Sequence, residues 1–148
     1  MPHFLTTVRA AVTGVCTGLP TTAARVFTRR PYPWQPAQLP GLLVRTAATY
    51  DVVDIGAPPT LQADTRIEVE LVVAAAGDAA AALDTMASEV QAAVCGLTSI
   101  GGKAVTVACT EVTAPEDSGE LDPPVSRRAL LFSAGPLFIV ANAPDVLV

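Results

Sequence analysis

Residues 65–73 read TRIEVELVV, and the alternation in them is unbroken. Ile67, Val69, Leu71 and Val73 fall on one side, while Arg66, Glu68 and Glu70 fall on the other. Side chains of a strand point alternately to its two faces, so the stretch predicts a strand with one buried and one wet, charged face. Such a strand needs a cover for its apolar side. Two segments offer one. Leu5, Val8, Val12, Val15 and Leu19 step by three and four, a helical stripe that Gly18 and Pro20 bring to an end. Leu83, Met86, Val90, Val94 and Leu97 repeat the spacing after Asp78, a residue suited to capping a helix, and Gly96 stands near the close.

Shorter signals fill in the sheet. TTAARVFT enters a short strand at 24–28, and GLLVRT predicts a central strand at 42–47, apolar on both faces. Residues 104–112 alternate again, with Val105, Val107 and Cys109 on one side, and VSRRALLFSA (125–134) reads as the last strand. Between them, YDVVDIGAPPTLQAD reads as a connector, because Pro58-Pro59 bars pairing in its middle. Gly101-Gly102 marks a hairpin turn, and TAPEDSGELDPP is a polar acidic loop. The order α, β, β, β, α, β, β predicts an α+β domain: about five strands in a mixed or mostly antiparallel sheet, with both helices packed on one face. The domain is expected over 1–133. Residues 134–148, broken by Pro136 and Pro144, read as an apolar C-terminal tail whose Leu137–Val140 stretch packs on this subunit or a neighbour.

Composition narrows the chemistry. The 148 residues are half apolar and suffice for one domain with a real core. No apolar run approaches the roughly 20 residues of a membrane-spanning helix. The opening MPHFLTTVRAAV lacks the basic cluster and unbroken apolar block of a secretory signal, so a soluble protein that stays in the cell that makes it is expected. Cys16, Cys95 and Cys109 are odd in number with no CxxC, as expected of reduced thiols. His3 is the only histidine, which argues against a histidine-based dyad or triad and against zinc. SIGGKA and AGPLF lack phosphate-loop spacing, EDSGELD lacks calcium-loop spacing, and no Gly-x-Ser-x-Gly elbow occurs. The expectation is a non-enzyme with no cofactor, no metal and no membrane contact.

Charge is unevenly divided. No acid precedes Asp51, and that third stands at +5; the remainder stands at −10. Within the basic third, RRPYPWQPAQLPGLLVRT (29–46) holds four prolines directly in front of an apolar run, and prolines at that density exclude regular structure. Arg29, Arg30, Tyr32 and Trp34 combine charge with stacking surface, as single-strand binders do. The net acidity of the chain weighs against nucleic acid. The same residue types concentrate in protein–protein contacts, which predicts a stiff projecting arm that presents them to another protein subunit. Packing of Trp34 in the core is the alternative. Arg127 and Arg128, the second adjacent pair, are further candidates for such an interface.

The order of elements, with the phrase LPTTAARVF…YP…LPGLLV, resembles the tail terminator proteins of long-tailed bacteriophages, also called minor tail or tail completion proteins. The resemblance extends over about residues 5–132. It implies a small α+β subunit that closes into a homohexameric ring on the last ring of the tail tube, stops tube polymerisation and gives the head connector a docking surface. It implies as partners the chain itself, the tail tube protein and the head–tail connector, with DNA passing through the hole without specific binding, and a place in the tail or neck of a virion assembled in the host cytoplasm. A ring joins unlike faces of successive subunits, which a charge-divided chain suits. In that frame Glu68, Glu70, Glu116, Asp117, Glu120 and Asp122 are candidates for an acidic channel lining or ring face. Another neck or connector component of the same particle is a second possibility. A small cytosolic metabolite-binding domain, with an apolar pocket between helices and sheet, is a third.

Overall fold

The structure is a computed structural model that describes residues 2–29, 34–118 and 124–148. At its centre is the strand that the alternation predicts, β3 (Thr60–Ala74). It pairs antiparallel on one side with β2 (Gly41–Asp54) and on the other with β8 (Val125–Val140). Beyond β2 lies the short β1 (Val26–Phe27), parallel to it. Beyond β8, and antiparallel to it, lie β7 (Glu116–Ser118), β6 (Thr106–Val112) and β9 (Ala143–Leu147), end to end along its far side. Seven strands thus form one mixed sheet among the described residues. β4 (Ser99–Ile100) and β5 (Lys103–Ala104) make a separate small hairpin. Its turn is Gly101-Gly102, both at positive φ, which a two-residue hairpin loop demands.

The helices α1 (Phe4–Cys16) and α2 (Ala79–Cys95) cover one face of this sheet. Ile67, Val69, Leu71 and Val73 of β3 meet them together with Leu42 and Val44 of β2 and Leu130 and Phe132 of β8. The second helix follows its predicted stripe, and the Asp78 carboxylate accepts the Ala81 N–H as the expected cap. The first helix is turned slightly from its prediction. Phe4, Val8, Val12 and Cys16 are its buried residues, while Leu5, Val15 and Leu19 pack at the margin. The α+β class and the two helices on one face are as expected; the sheet has seven strands rather than about five.

Further expectations are corrected. The stretch read as a connector is the far half of a long hairpin: β2 runs on to Asp54, β3 begins at Thr60, and Pro58-Pro59 sit in or beside the turn. Proline forbids a ladder hydrogen bond only at its own position, and a turn needs none there. The final strand does not stop at 134. β8 continues to Val140, so no boundary separates residues 1–133 from 134–148. Pro136 is tolerated inside it because the β3–β8 register shifts between Ala63 and Thr65, a bulge where the missing donor costs nothing. Leu137 and Ile139 are accordingly buried in the main core, within this subunit.

The acidic loop is also not wholly irregular, since Glu116–Ser118 pair with β8 as β7. The predicted strand at 24–28 is paired only at Val26 and Phe27.

Candidate functional site

The helix-free face of the sheet carries the charges. Arg45 of β2 stands beside Glu68 and Glu70 of β3, with Nε 3.0 Å from Glu68 Oε2 and Nη2 3.0 Å from Glu70 Oε2. On the opposite side of Glu70, Arg127 of β8 lies 3.7 Å away and reaches Glu116 of β7 at 3.8 Å. Three carboxylates and two guanidinia therefore form a chain across four strands. Glu70 at its middle is only 8% exposed, an unusual burial for an acid unless it is paired. Asp117 is tied to the Ser126 hydroxyl. Of the acids proposed as a channel lining or ring face, Glu68, Glu70 and Glu116 are each paired with an arginine of the same chain, two bases shared among three acids. Glu120 and Asp122 lie outside the described residues.

Arg127 and Arg128, both interface candidates, are adjacent in β8, and adjacent residues of a strand face opposite ways. Arg127 joins the charged face. Arg128 points to the helix side and pairs with Asp84 of α2, fastening the helix to the end of the sheet. Neither guanidinium is without a partner of its own chain.

The proline-rich segment divides similarly. Arg29 is exposed, whereas Arg30 and Tyr32 lie outside the described residues. Trp34 is corrected: it is 3% exposed and does not project. It covers one end of the charged face, packed on Val72 and Val125, with Phe27 edge-on at 5.8 Å and Leu39 beside it. The one-turn helix Pro36–Gln38 then closes over Gly41, where a Cβ would collide with the Gln38 carbonyl. Upstream, residues 18–25 form a compact turn, with Gly18 N–H donating to the Ala23 carbonyl and Ala23 N–H to that of Leu19. Arg25 locks it, donating to the Pro40 carbonyl at 2.7 Å and the Thr21 carbonyl at 2.9 Å.

Two features escape a reading of the sequence by motif. One is Arg45, the hub of the charge chain. Its signal is an arginine inside an otherwise apolar strand, whose partner emerges only when β2 and β3 are set in register. The other is the β2–β3 hairpin tip. Tyr50, Val52, Val53 and Ile55 are exposed there, Ile55 to 91%. The run YDVVDI before Gly56 carries the signal, as an apolar stretch with no helical or strand cover to meet.

A concavity of about 720 Å³ lies on the charged face, lined by Arg45, Asp64, Arg66, Glu68, Leu131 and Ser133 among others. It is on the opposite side from the helices, whose interface with the sheet is filled by core side chains. Among the described residues, no group of three His, Cys, Asp or Glu side chains is placed to hold a metal ion. No helix among them is long and apolar enough to cross a membrane. The three cysteines are free. Burial pushes the Cys16 thiol up to about 11. Cys109 is also raised by burial and by nearby Cys95, against the lowering effect of its hydrogen bond to the Glu111 carbonyl. Raised thiols are poor nucleophiles at neutral pH.

No protein-family model matches the chain, and no curated protein matches it. Among solved structures, a chain of the "Virion of native gene transfer agent (GTA) particle" is 19% identical and superposes with a TM-score of 0.47, over 89% of this chain and 90% of that one. At that identity and score the likeness carries no statement about what this chain does.

Proposed function

We propose that this chain is a structural protein of a phage-like particle and, more narrowly, a tail terminator. It closes into a homohexameric ring that caps the tail tube, stops its polymerisation and receives the head connector. It acts by shape and surface, without catalysis, cofactor or metal. One ring face matches the tube subunit, the other matches the connector, and a bound ring presents the wrong surface for further tube growth.

The supporting observation is that the described parts of the phrase through which the sequence resembles tail terminators, 19–27 and 39–44, hold the Arg25-locked turn and set β1 against β2. If the helix-free face lines the hole, Arg45 and Arg127 on it are already held by carboxylates, and Arg66 is the exposed cation there that DNA would meet.

The test is to mix the purified protein with tail tube subunits and measure tube length by electron microscopy. Short capped tubes with a terminal ring are expected; uncontrolled growth at saturating protein would remove the reading. Arg29 is the described candidate for the tube or subunit contact. A double change, Arg29→Glu with Arg30→Glu, is expected to abolish capping while leaving the circular dichroism spectrum unchanged.

A small-molecule binding domain has one observation in its favour, the concavity beside Arg45 and Arg66. A chain that stays monomeric at micromolar concentration, and does not bind tubes, would favour it.

A further inference from the structure

We propose that the open edge of β2 accepts an antiparallel strand from a second copy of this chain, namely its β6. The inference takes as given the ring of copies proposed above and names how neighbours join.

The short β1 covers β2 only at Leu42 and Leu43. Among the described residues, nothing pairs with that edge from Val44 to Asp54. Leu42 N–H donates outward to the Arg25 carbonyl. By the alternation of an antiparallel ladder, Val44, Thr46, Ala48, Tyr50 and Val52 also turn their main-chain groups away from β3. Natural sheets guard such edges with lysine, proline, bulges or short strands. Between Val44 and Val52 there is no lysine, proline or glycine, and the register shift comes only at Val52/Asp54. A long edge without these guards is a template for strand addition.

The far edge of the same sheet is the complementary partner. β2 and β6 run in opposite directions, since each step from β2 to β3 to β8 to β6 is antiparallel. A copy rotated about an axis parallel to the strands keeps these directions, so its β6 arrives antiparallel to β2. The joint is heterologous and can repeat around a ring.

Register and charge agree with this. Arg45 opposes Glu68, Glu68 opposes Leu131, and Leu131 opposes Glu111, so one row of the sheet starts with Arg45 and ends with Glu111. The next row runs Thr46, Ile67, Phe132, Cys109. Along the far edge β6, β7 and β9 carry Glu111, Glu116, Asp117 and Asp145 and no base, while β2 carries Arg45 and no acid before Asp51. In level register, the Glu111 of one copy meets the Arg45 of the next.

The row arithmetic supplies the test. Thr46→Cys, in the full chain, places a thiol opposite the native Cys109 of a second copy. Mild oxidation is expected to give a ladder of disulfide-linked species on a non-reducing gel, and adding Cys109→Ser is expected to abolish it. Ala48→Pro, which removes an outward N–H and leaves the β3 ladder intact, is expected to prevent assembly with an unchanged circular dichroism spectrum. Rings seen by electron microscopy that give no ladder, or that form normally with Ala48→Pro, overturn the β2–β6 joint and leave the ring reading standing. A covalent dimer that persists when Cys95→Ser and Cys109→Ser are both added indicates β2–β2 pairing and also overturns it. A chain that is monomeric at every concentration, with or without tubes, overturns both.

Discussion

Glu70 is held by Arg45 across the β2–β3 pair, Nη2 to Oε2 at 3.0 Å, in a position that leaves the carboxylate nearly sealed from water. The relationship is directional. Arg45 is half exposed and keeps access to solvent, whereas Glu70 depends on its two arginines. Removing Arg45 strands that buried carboxylate on its longer contact to Arg127, whereas removing Glu70 leaves two arginines that reach water. Arg45→Ala should therefore lower unfolding free energy by about 1–2 kcal/mol, and Glu70→Ala by less, because the charges it leaves are partly exposed and screened. Urea titration of both variants and the double variant checks this; equal costs would contradict the asymmetry.

Trp34 is expected to act as a structural cover. Trp34→Ala should destabilise by about 3 kcal/mol, the usual range for deleting a buried aromatic, and Trp34→Phe by about 1 kcal/mol. It is the only tryptophan, so its emission reports directly on the site. Blue-shifted fluorescence in the native state that moves red on unfolding is expected. Red emission from the native protein would place the side chain in water and contradict the packing on Val72 and Val125.

Thr65 sits in the middle of the apolar face of β3, fully buried, and its hydroxyl has no hydrogen-bond partner. An unpaired buried polar group costs about 1–3 kcal/mol. Thr65→Val keeps the shape and removes that cost, so a gain of about 1 kcal/mol is expected in the same titration. A loss would indicate that the hydroxyl is satisfied in solution.

Cys16 couples stability to alkaline pH. Its thiol is raised from 9.0 to about 11 in the folded chain. Below pH 9 both states keep the proton and the term has no slope. Between about 9 and 11 only the unfolded chain loses it, so folded stability falls as pH rises, by up to about 3 kcal/mol. Cys16→Val removes the group and should flatten this part of the profile. The difference between wild type and variant, measured by denaturant unfolding at pH 8 and pH 10.5, isolates the effect from other groups.

Local pattern sufficed where a segment's conformation follows from its own spacing. The face of β3, the Asp78-capped helix and the Gly101-Gly102 turn were all legible, because each depends on residues a few positions apart. The hairpin through Pro58-Pro59 and the passage of β8 through Pro136 were not. Both prolines fall where a turn or bulge excuses the missing donor, and that is decided by a partner strand far away in sequence. The site was less legible still. Glu68 and Glu70 are visibly on one face, yet the arginines that neutralise them come from positions 45 and 127. Trp34 reads as a projecting aromatic until Val72 and Val125 are brought beneath it. Arg127 and Arg128 look like one patch in a line of text and are parted by the pleat of the strand.

The position of β8 beside β3, inside the sheet, also bears on how the protein is made. β3 must wait for a partner whose first residue is synthesised 51 residues after its own last one, Val125 after Ala74. Until then the β2–β3 hairpin and both helices can meet, but half of the apolar face they share has no floor. Long-range pairing of this kind slows folding and leaves sticky intermediates exposed. A nascent chain halted before β8 should accordingly be a chaperone client and protease-sensitive, and it should become resistant only once the stretch through Val140 has cleared the ribosome.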